Sequence, residues 1–349
     1  MTTVTVYRST DTSAPSLTGQ VGSLTTLLNS CLVNGYGSQP AAGWSSAYSS
    51  SYHQVYRNST TDGTGFYLSV DDSGSGSGSS REALMTGFQS ATGVGTGTGQ
   101  FPTSGQLNLG IGSVICRKSN TTDSTVRSWT LIADDTVFYL FSENGDLNSP
   151  VQPSMFIFGD FFSYSSSDSY RCIIVGRNGE NNNSYTYAWE SITNGLAGGT
   201  SSPVLTATLP GHFIASNFTG VGGSILCGKH MDILKLGIGG SGSYNGTTSV
   251  NSNQQYAVIG ATYNVNSAMS YPNPPDNGIY LSPVWIHHNG MLRGYFKGLW
   301  GPCQSLPLNH DDTWTGTGPM TGKTFLAQYL VGYNNYYGEI FIETSSTWS

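Results

Sequence analysis

The chain has 349 residues, enough for a substantial core in one to three domains, yet only 13 Lys or Arg and 20 Asp or Glu. That is 9% charged residues, where an ordinary globular domain carries roughly 25%. With a net charge of −7 and no basic run longer than Arg117-Lys118, nothing in the sequence offers the cationic groove that phosphates require, so no nucleic-acid partner is expected.

In place of charge stand 46 Gly, 21 Tyr and long Ser/Thr/Asn stretches. Neutral hydroxyls and tyrosine rings cost far less to bury than ions, so such a surface suits packing against other protein. The 37% hydrophobic and 12% aromatic content separates the chain from disordered Gly/Ser-rich sequences, which lack aromatics and carry high net charge.

The opening MTTVTVYRST lacks the apolar core of a secretory signal, and no apolar run approaches the ~20 residues needed to span a bilayer. Synthesis in the cytoplasm and no membrane contact are therefore expected. Next along the chain, Leu17, Val21, Leu24, Leu27, Leu28, Cys31 and Leu32 fall three or four apart, which predicts a helix ending at Asn34-Gly35. Thereafter the chain reads as short strands bounded by Gly, Asn, Asp or Pro. These are Gly65–Asp71, Trp129–Ala133, Val137–Ser142, Met155–Gly159, Tyr170–Val175, Tyr256–Gly260, Gly278–Leu281, Val284–His287 and Glu339–Thr344. The predicted fold is mainly β: sandwich or barrel-like antiparallel sheets with one short N-terminal helix packed on them.

The glycine tracts Asp72–Ser80 and Gly93–Gly99 read as long hairpin loops. Softer breaks at Asn144–Pro153 and Gly237–Thr248 suggest an N-terminal mainly-β unit, 1–240, with the helix, and a C-terminal β module, 241–349. The five cysteines, Cys31, Cys116, Cys172, Cys227 and Cys303, are odd in number and widely spaced. They fit neither a disulfide framework nor a metal clamp, and read as small core hydrophobes.

Three patterns invite a chemical reading. Gly316–Thr324, GTGPMTGKT, ends like a phosphate-binding loop, but Thr317 stands where the first glycine belongs and Pro319 interrupts the wrap, so a turn before a strand is expected. His287-His288, His310, Asp311 and Asp312 form the densest set of potential ligands, yet adjacent strand residues face opposite ways. The acids Asp134, Asp135, Asp160, Glu190, Asp311, Asp312, Glu339 and Glu343 show no spacing that singles out a glycosidase pair. No catalytic, cofactor-binding or metal residue is assigned, no cofactor is expected, and the chain reads as a non-enzyme.

Thr18–Ser45 (TGQVGSLTTLLNSCLVNGYGSQPAAGWS), Phe66–Asp72 (FYLSVDD), Arg293–Pro302 (RGYFKGLWGP), Pro307-Leu308, the turn Asp311–Gly318, Gly322–Phe325 and Phe341–Trp348 (FIETSSTW) together resemble a family of virion structural proteins of tailed bacteriophages. The resemblance implies a particle component made in the host cytoplasm, with no assigned enzymatic role and no functional residues to carry over. A structural part of the tail, neck or baseplate is expected, present in several symmetric copies beside other virion proteins. The alternatives are capsid decoration and a tail-fibre module binding host-surface glycan. Candidate interface residues are Leu24, Leu28 and Tyr36 around the helix, and Trp285, Leu299 and Trp300 near the C-terminus, with an ordinary core as the competing reading.

Overall fold

The structure, a computed structural model, describes residues 3–75, 79–104, 112–143, 153–176, 212–222, 275–288, 291–302, 308–332, 336–345 and 347–348. Strand β1 (Thr5–Arg8) precedes helix α1 (Ser23–Leu28). The helix begins later than its apolar spacing predicts, because Leu17 is held in a β-bridge to Arg127 and Gly22, at φ +78°, turns the chain into the first helical turn. Its continuation, Asn29–Asn34, is a π-helix, and Gly35 at φ +75° ends it at the predicted exit. Leu24, Leu27, Leu28, Cys31 and Leu32 are its buried apolar side chains.

Then follow β2 (Ser45–Ser50), β3 (His53–Arg57), β4 (Tyr67–Asp71), β5 (Glu82–Phe88), the small hairpin β6 (Ser90–Gly93) and β7 (Thr96–Thr98), and β8 (Val114–Arg117). Five of these make an antiparallel sheet in the order β2-β3-β4-β5-β8. The tract Asp72–Ser80 joins the antiparallel neighbours β4 and β5 as a hairpin connection, whereas Gly93–Gly99 is not a long loop: it holds the end of β6, a tight turn and the whole of β7.

A second sheet uses β9 (Trp129–Ala133), β10 (Val137–Glu143) and β11 (Pro153–Asp160). The two-residue strand β12 (Phe162–Ser163) leaves it, and β13 (Cys172–Val175) and β14 (His212–Ile214) complete the order β1-β9-β10-β11-β13-β14. The third sheet contains β15 (Leu281–His288), β16 (Met291–Pro302), β17 (Thr313–Thr315), β18 (Thr324–Gly332) and β19 (Tyr336–Glu343), in the order β12-β16-β19-β18-β17 with β15 also on β16.

The second sheet is the middle layer, and its period-two alternation feeds two cores. Leu131, Ala133, Phe138, Leu140, Phe156, Phe158 and Ile174 face the first sheet and the helix, meeting Tyr56, Leu68, Met85, Leu24 and Leu28. Ile132, Val137, Tyr139, Phe141, Ile157, Ile173 and Val175 face the third sheet, meeting Val284, Ile286, Phe296, Leu299, Ile340 and Ile342. Burial on both faces explains why WTLIA, VFYLF and CIIV are continuously apolar instead of alternating.

The fold is thus mainly β, with one short N-terminal helix packed near antiparallel sheets, as the strand pattern predicts. The expected boundary at 240/241 lies outside the described residues, and side chains from either side of it share the second core. Of the predicted strand Gly278–Leu281 only Leu281 belongs to a strand, the start of β15; Tyr256–Gly260 lies outside the described residues. Cys31, Cys116 and Cys172 are buried free thiols.

Candidate functional site

The scarce cations are turned inward. Arg177, Lys229 and Lys235 fall outside the described residues, and none of the other Lys and Arg side chains is exposed: Arg117, Lys118 and Arg293 are buried and the rest half-buried. Lys118 pairs with Asp72, both side chains fully sealed from solvent. Burial pushes the Asp72 carboxyl up against the pull of Lys118, and burial likewise lowers the Lys118 ammonium. The same carboxylate accepts from the Leu24 and Thr25 amides at 2.8 and 3.3 Å, so Asp72 caps α1 from a distant hairpin. Arg117 pairs with Glu82 at 2.8 Å across β5 and β8.

Two further buried carboxylates tie layers together. Arg293 on β16 grips Asp168 with two parallel hydrogen bonds of 2.8 Å and donates at 2.6 Å to the Ser216 carbonyl. Burial acts to raise Asp168, but the hydrogen bonds and charge of Arg293 more than offset it and hold the carboxyl below its usual value. Asp160, at the end of β11, accepts from Asn58 Nδ2 at 2.9 Å and from the Thr64 amide and hydroxyl, each at 2.7 Å. Burial pushes its pKa up to about 6, against the opposing pull of Lys297, Thr64, Arg171 and Asn58.

Asp62, Asp123, Asp276 and Asp311 are exposed, but two other exposed features carry no charge. All six residues of β2 are exposed, and as the edge of its sheet this strand presents backbone donors and acceptors with no charged side chain beside them. A second feature lies where β12 meets β16. Phe162 stacks on Tyr295 with ring centroids 4.6 Å apart, and Tyr164 stands edge-on to both at 5.7 and 6.0 Å. Phe162, Tyr164 and neighbouring Leu292 are exposed, and β12 can lie this close only because Gly294 has no Cβ, which would sit 1.8 Å from the Phe162 carbonyl oxygen.

The six candidate interface residues divide accordingly. Leu24, Leu28 and Leu299 are at most 1% exposed in the protein's own cores, so their apolar spacing reports folding and not a contact surface. Tyr36 is half-buried, its hydroxyl donating to Asp11 at 2.9 Å. Trp285 is half-buried opposite Tyr295 in the β15–β16 pairing, beside the aromatic cluster. Trp300 is half-buried on the outer face of the third sheet, edge-on to Phe325 at 6.4 Å with Lys323 over its ring. Sequence reasoning missed β2 and the Phe162–Tyr164–Tyr295 cluster, since SSAYSS has no apolar signal and Tyr295 is far from the other two rings in sequence.

The chemical patterns resolve as follows. Gly318–Met320 is a short 3-10 turn joining β17 to β18, and Lys323 holds Glu343 at 2.8 Å, so the string is a turn before a strand. Asp312 accepts from the Asn309 amide at 2.6 Å, a turn contact, while His310 Nε2 lies 3.8 Å from Glu143 Oε1 and 3.7 Å from Asp311 Oδ2. Among the described residues no group of three or more His, Cys, Asp or Glu is arranged to hold a metal, and no helix is long and apolar enough to cross a membrane. Asp134 folds its carboxylate onto Thr136 and Val137 in the β9–β10 turn. Glu190 lies outside the described residues.

No protein-family model matches the chain, and no curated protein matches it.

Proposed function

We propose that this chain is a non-enzymatic structural component of a tailed-phage particle, made in the host cytoplasm and working as one of several symmetric copies in the tail, neck or baseplate. The observation that carries the reading is the division of polarity: among the described residues every Lys and Arg but Arg8 directs its side-chain nitrogens to acceptors of the protein's own, while the exposed β2 edge and the Phe162–Tyr164–Tyr295 cluster are neutral. Neutral hydroxyls, backbone groups and aromatic rings are the groups that a close-packed assembly buries at least cost. A copy related by symmetry would cover the β2 edge, which otherwise invites uncontrolled pairing.

Particle copy number tests the location. An axial part is expected in multiples of three or six, whereas a capsid-decorating protein would follow the far larger count of shell subunits. Localisation of the chain by electron cryomicroscopy of purified particles reads this directly, and density on the shell alone would overturn the tail, neck or baseplate assignment.

A further inference from the structure

Arg117, Lys118 and Arg293 are the buried cations among the described residues, and they differ in one chemical respect. The two arginines carry guanidinium groups, which stay protonated, whereas Lys118 carries an amine that can lose its proton and act as a nucleophile. Lys118 and Asp72 are also the one lysine–carboxylate pair among the described residues with both side chains sealed from solvent. Lys323, the lysine that pairs with Glu343, is 29% exposed.

Asp72 directly follows β4 and Lys118 directly follows β8, strands that β5 separates in the first sheet, so the two side chains meet beside the start of β5. Lys118 Nζ contacts Asp72 Oδ1 and donates at 2.7 Å to the Gln20 carbonyl, which steers the nitrogen. Asp72 Oδ2 instead accepts from the backbone amides of Leu24 at 2.8 Å and Thr25 at 3.3 Å. One carboxylate oxygen is thus held by two fixed donors while the other meets the amine. An oxyanion hole presents a carbonyl to a nucleophile in the same way.

Burial raises the Asp72 carboxyl and lowers the Lys118 ammonium, each against the pull of its partner. Both shifts favour one event, the passage of a proton from Nζ to Oδ1, which leaves an amine beside a carboxylic acid. A desolvated lysine is an activated nucleophile, and the sealed site keeps out the water that would solvate the ions or hydrolyse a product.

We propose that Lys118 and Asp72 condense into an intramolecular amide, a covalent modification that the folded chain makes by itself. Nζ attacks Asp72 Cγ and forms the C–N bond, and the charge developing on Oδ2 falls on the Leu24 and Thr25 amides. Oδ1 already carries the transferred proton; it takes a second from Nζ and leaves as water when the C–Oδ1 bond breaks. Ammonium and carboxylate become one amide and one water, with no oxidant, reductant or co-reactant. The ion pair is the state before this step, and a chain of full mass still holds it. The bond joins residues 46 apart and ties β4 to β8, which are not neighbours in the sheet, so it constrains the unfolded chain as other cross-links do. The inference stands on this pair alone and does not depend on the particle reading.

The test is intact-mass spectrometry of the purified, folded chain after prolonged incubation, followed by tryptic digestion under denaturing conditions and peptide sequencing by tandem mass spectrometry. Most molecules are expected to be lighter by the mass of one water, with peptide 58–81 joined to peptide 118–127 through Asp72 and Lys118. Lys118→Arg keeps the charge without the nucleophile and is expected to show the full mass. Full mass in most molecules of the unaltered chain would overturn the proposal. So would water lost within a single peptide, as cyclisation at Asp62-Gly63 would give, a joined pair at other residues, or a water loss that survives in Lys118→Arg. The joined peptide of the unaltered chain decides even where the variant fails to fold.

Discussion

Lys118 and Asp72, 46 residues apart in sequence, form an ion pair from which solvent is excluded, and the carboxylate at its centre also caps α1. A pair this deep gains little over an apolar replacement, but breaking it strands a charge. Lys118→Met is therefore expected to cost about 3–5 kcal/mol in urea unfolding, and Asp72→Asn in the same chain to restore most of it, because Asn keeps the cap acceptor without the charge. A loss below about 1 kcal/mol for Lys118→Met would show that the pair is not closed as described.

Asp160 sets a pH signature. Its carboxyl holds the proton up to about pH 6 in the folded chain, against an ordinary 3.8, so between these values the folded state binds more protons than the unfolded one. Its contribution is fully present below pH 3.8 and is lost as pH rises through 6. A shift of about two units corresponds to roughly 3 kcal/mol. Asp160→Asn lacks this titration, so its destabilisation relative to the unaltered chain is expected to shrink by about that amount from pH 4 to pH 7. A difference that stays constant or grows over this range would contradict the burial that raises Asp160.

Arg293 and Asp168 fix β16 to the segment after β12 by geometry as much as by charge. Lysine supplies the charge but not the fork, so Arg293→Lys is expected to lose about 1–3 kcal/mol and to speed hydrogen exchange at Phe162–Ser163. Because Asp168 is held below its usual value, its contribution is present above the ordinary carboxylate pKa and is lost as pH falls through the lower, folded one. The loss caused by Arg293→Lys should accordingly fade in strong acid. Stability and exchange unchanged at neutral pH would argue against this clamp.

What was legible in the sequence follows from where each residue is buried. The middle sheet announced itself, because strands covered on both faces are continuously apolar: Trp129–Ala133 is predicted to the residue, and the helix is predicted by its leucines down to Gly35. β2 and β16 were silent, the first polar throughout, the second broken by glycines and charges whose roles are tertiary: Gly294 makes room for β12 and Arg293 reaches Asp168. The low charge count was visible, but not that Arg117, Lys118 and Arg293 lie inside, since their partners stand 35, 46 and 125 residues away. His310 was noticed beside His287-His288, yet the structure sets it near Glu143, a residue the sequence pattern did not connect with it.

The β2 edge carries the expectation of self-association. Ala47→Lys with Ser49→Lys places two like charges along the exposed edge and, being on exposed positions, should alter stability by no more than about 0.5 kcal/mol. Sedimentation of the unaltered chain is expected to show concentration-dependent oligomers that the doubly substituted chain lacks. Oligomers that persist in the substituted chain would move the contact to another surface.

The most direct test of the central claim is quantitative mass spectrometry of purified particles of a phage whose genome carries this sequence, before and after a wash in about 1 M NaCl, where the Debye length falls to about 3 Å. The account predicts that the chain is present in stoichiometric copies and stays with the particles through the wash, since its contacts are neutral. Its absence from the particles would contradict the claim that it is a virion component, and its release by salt would contradict the neutral interface on which that claim rests.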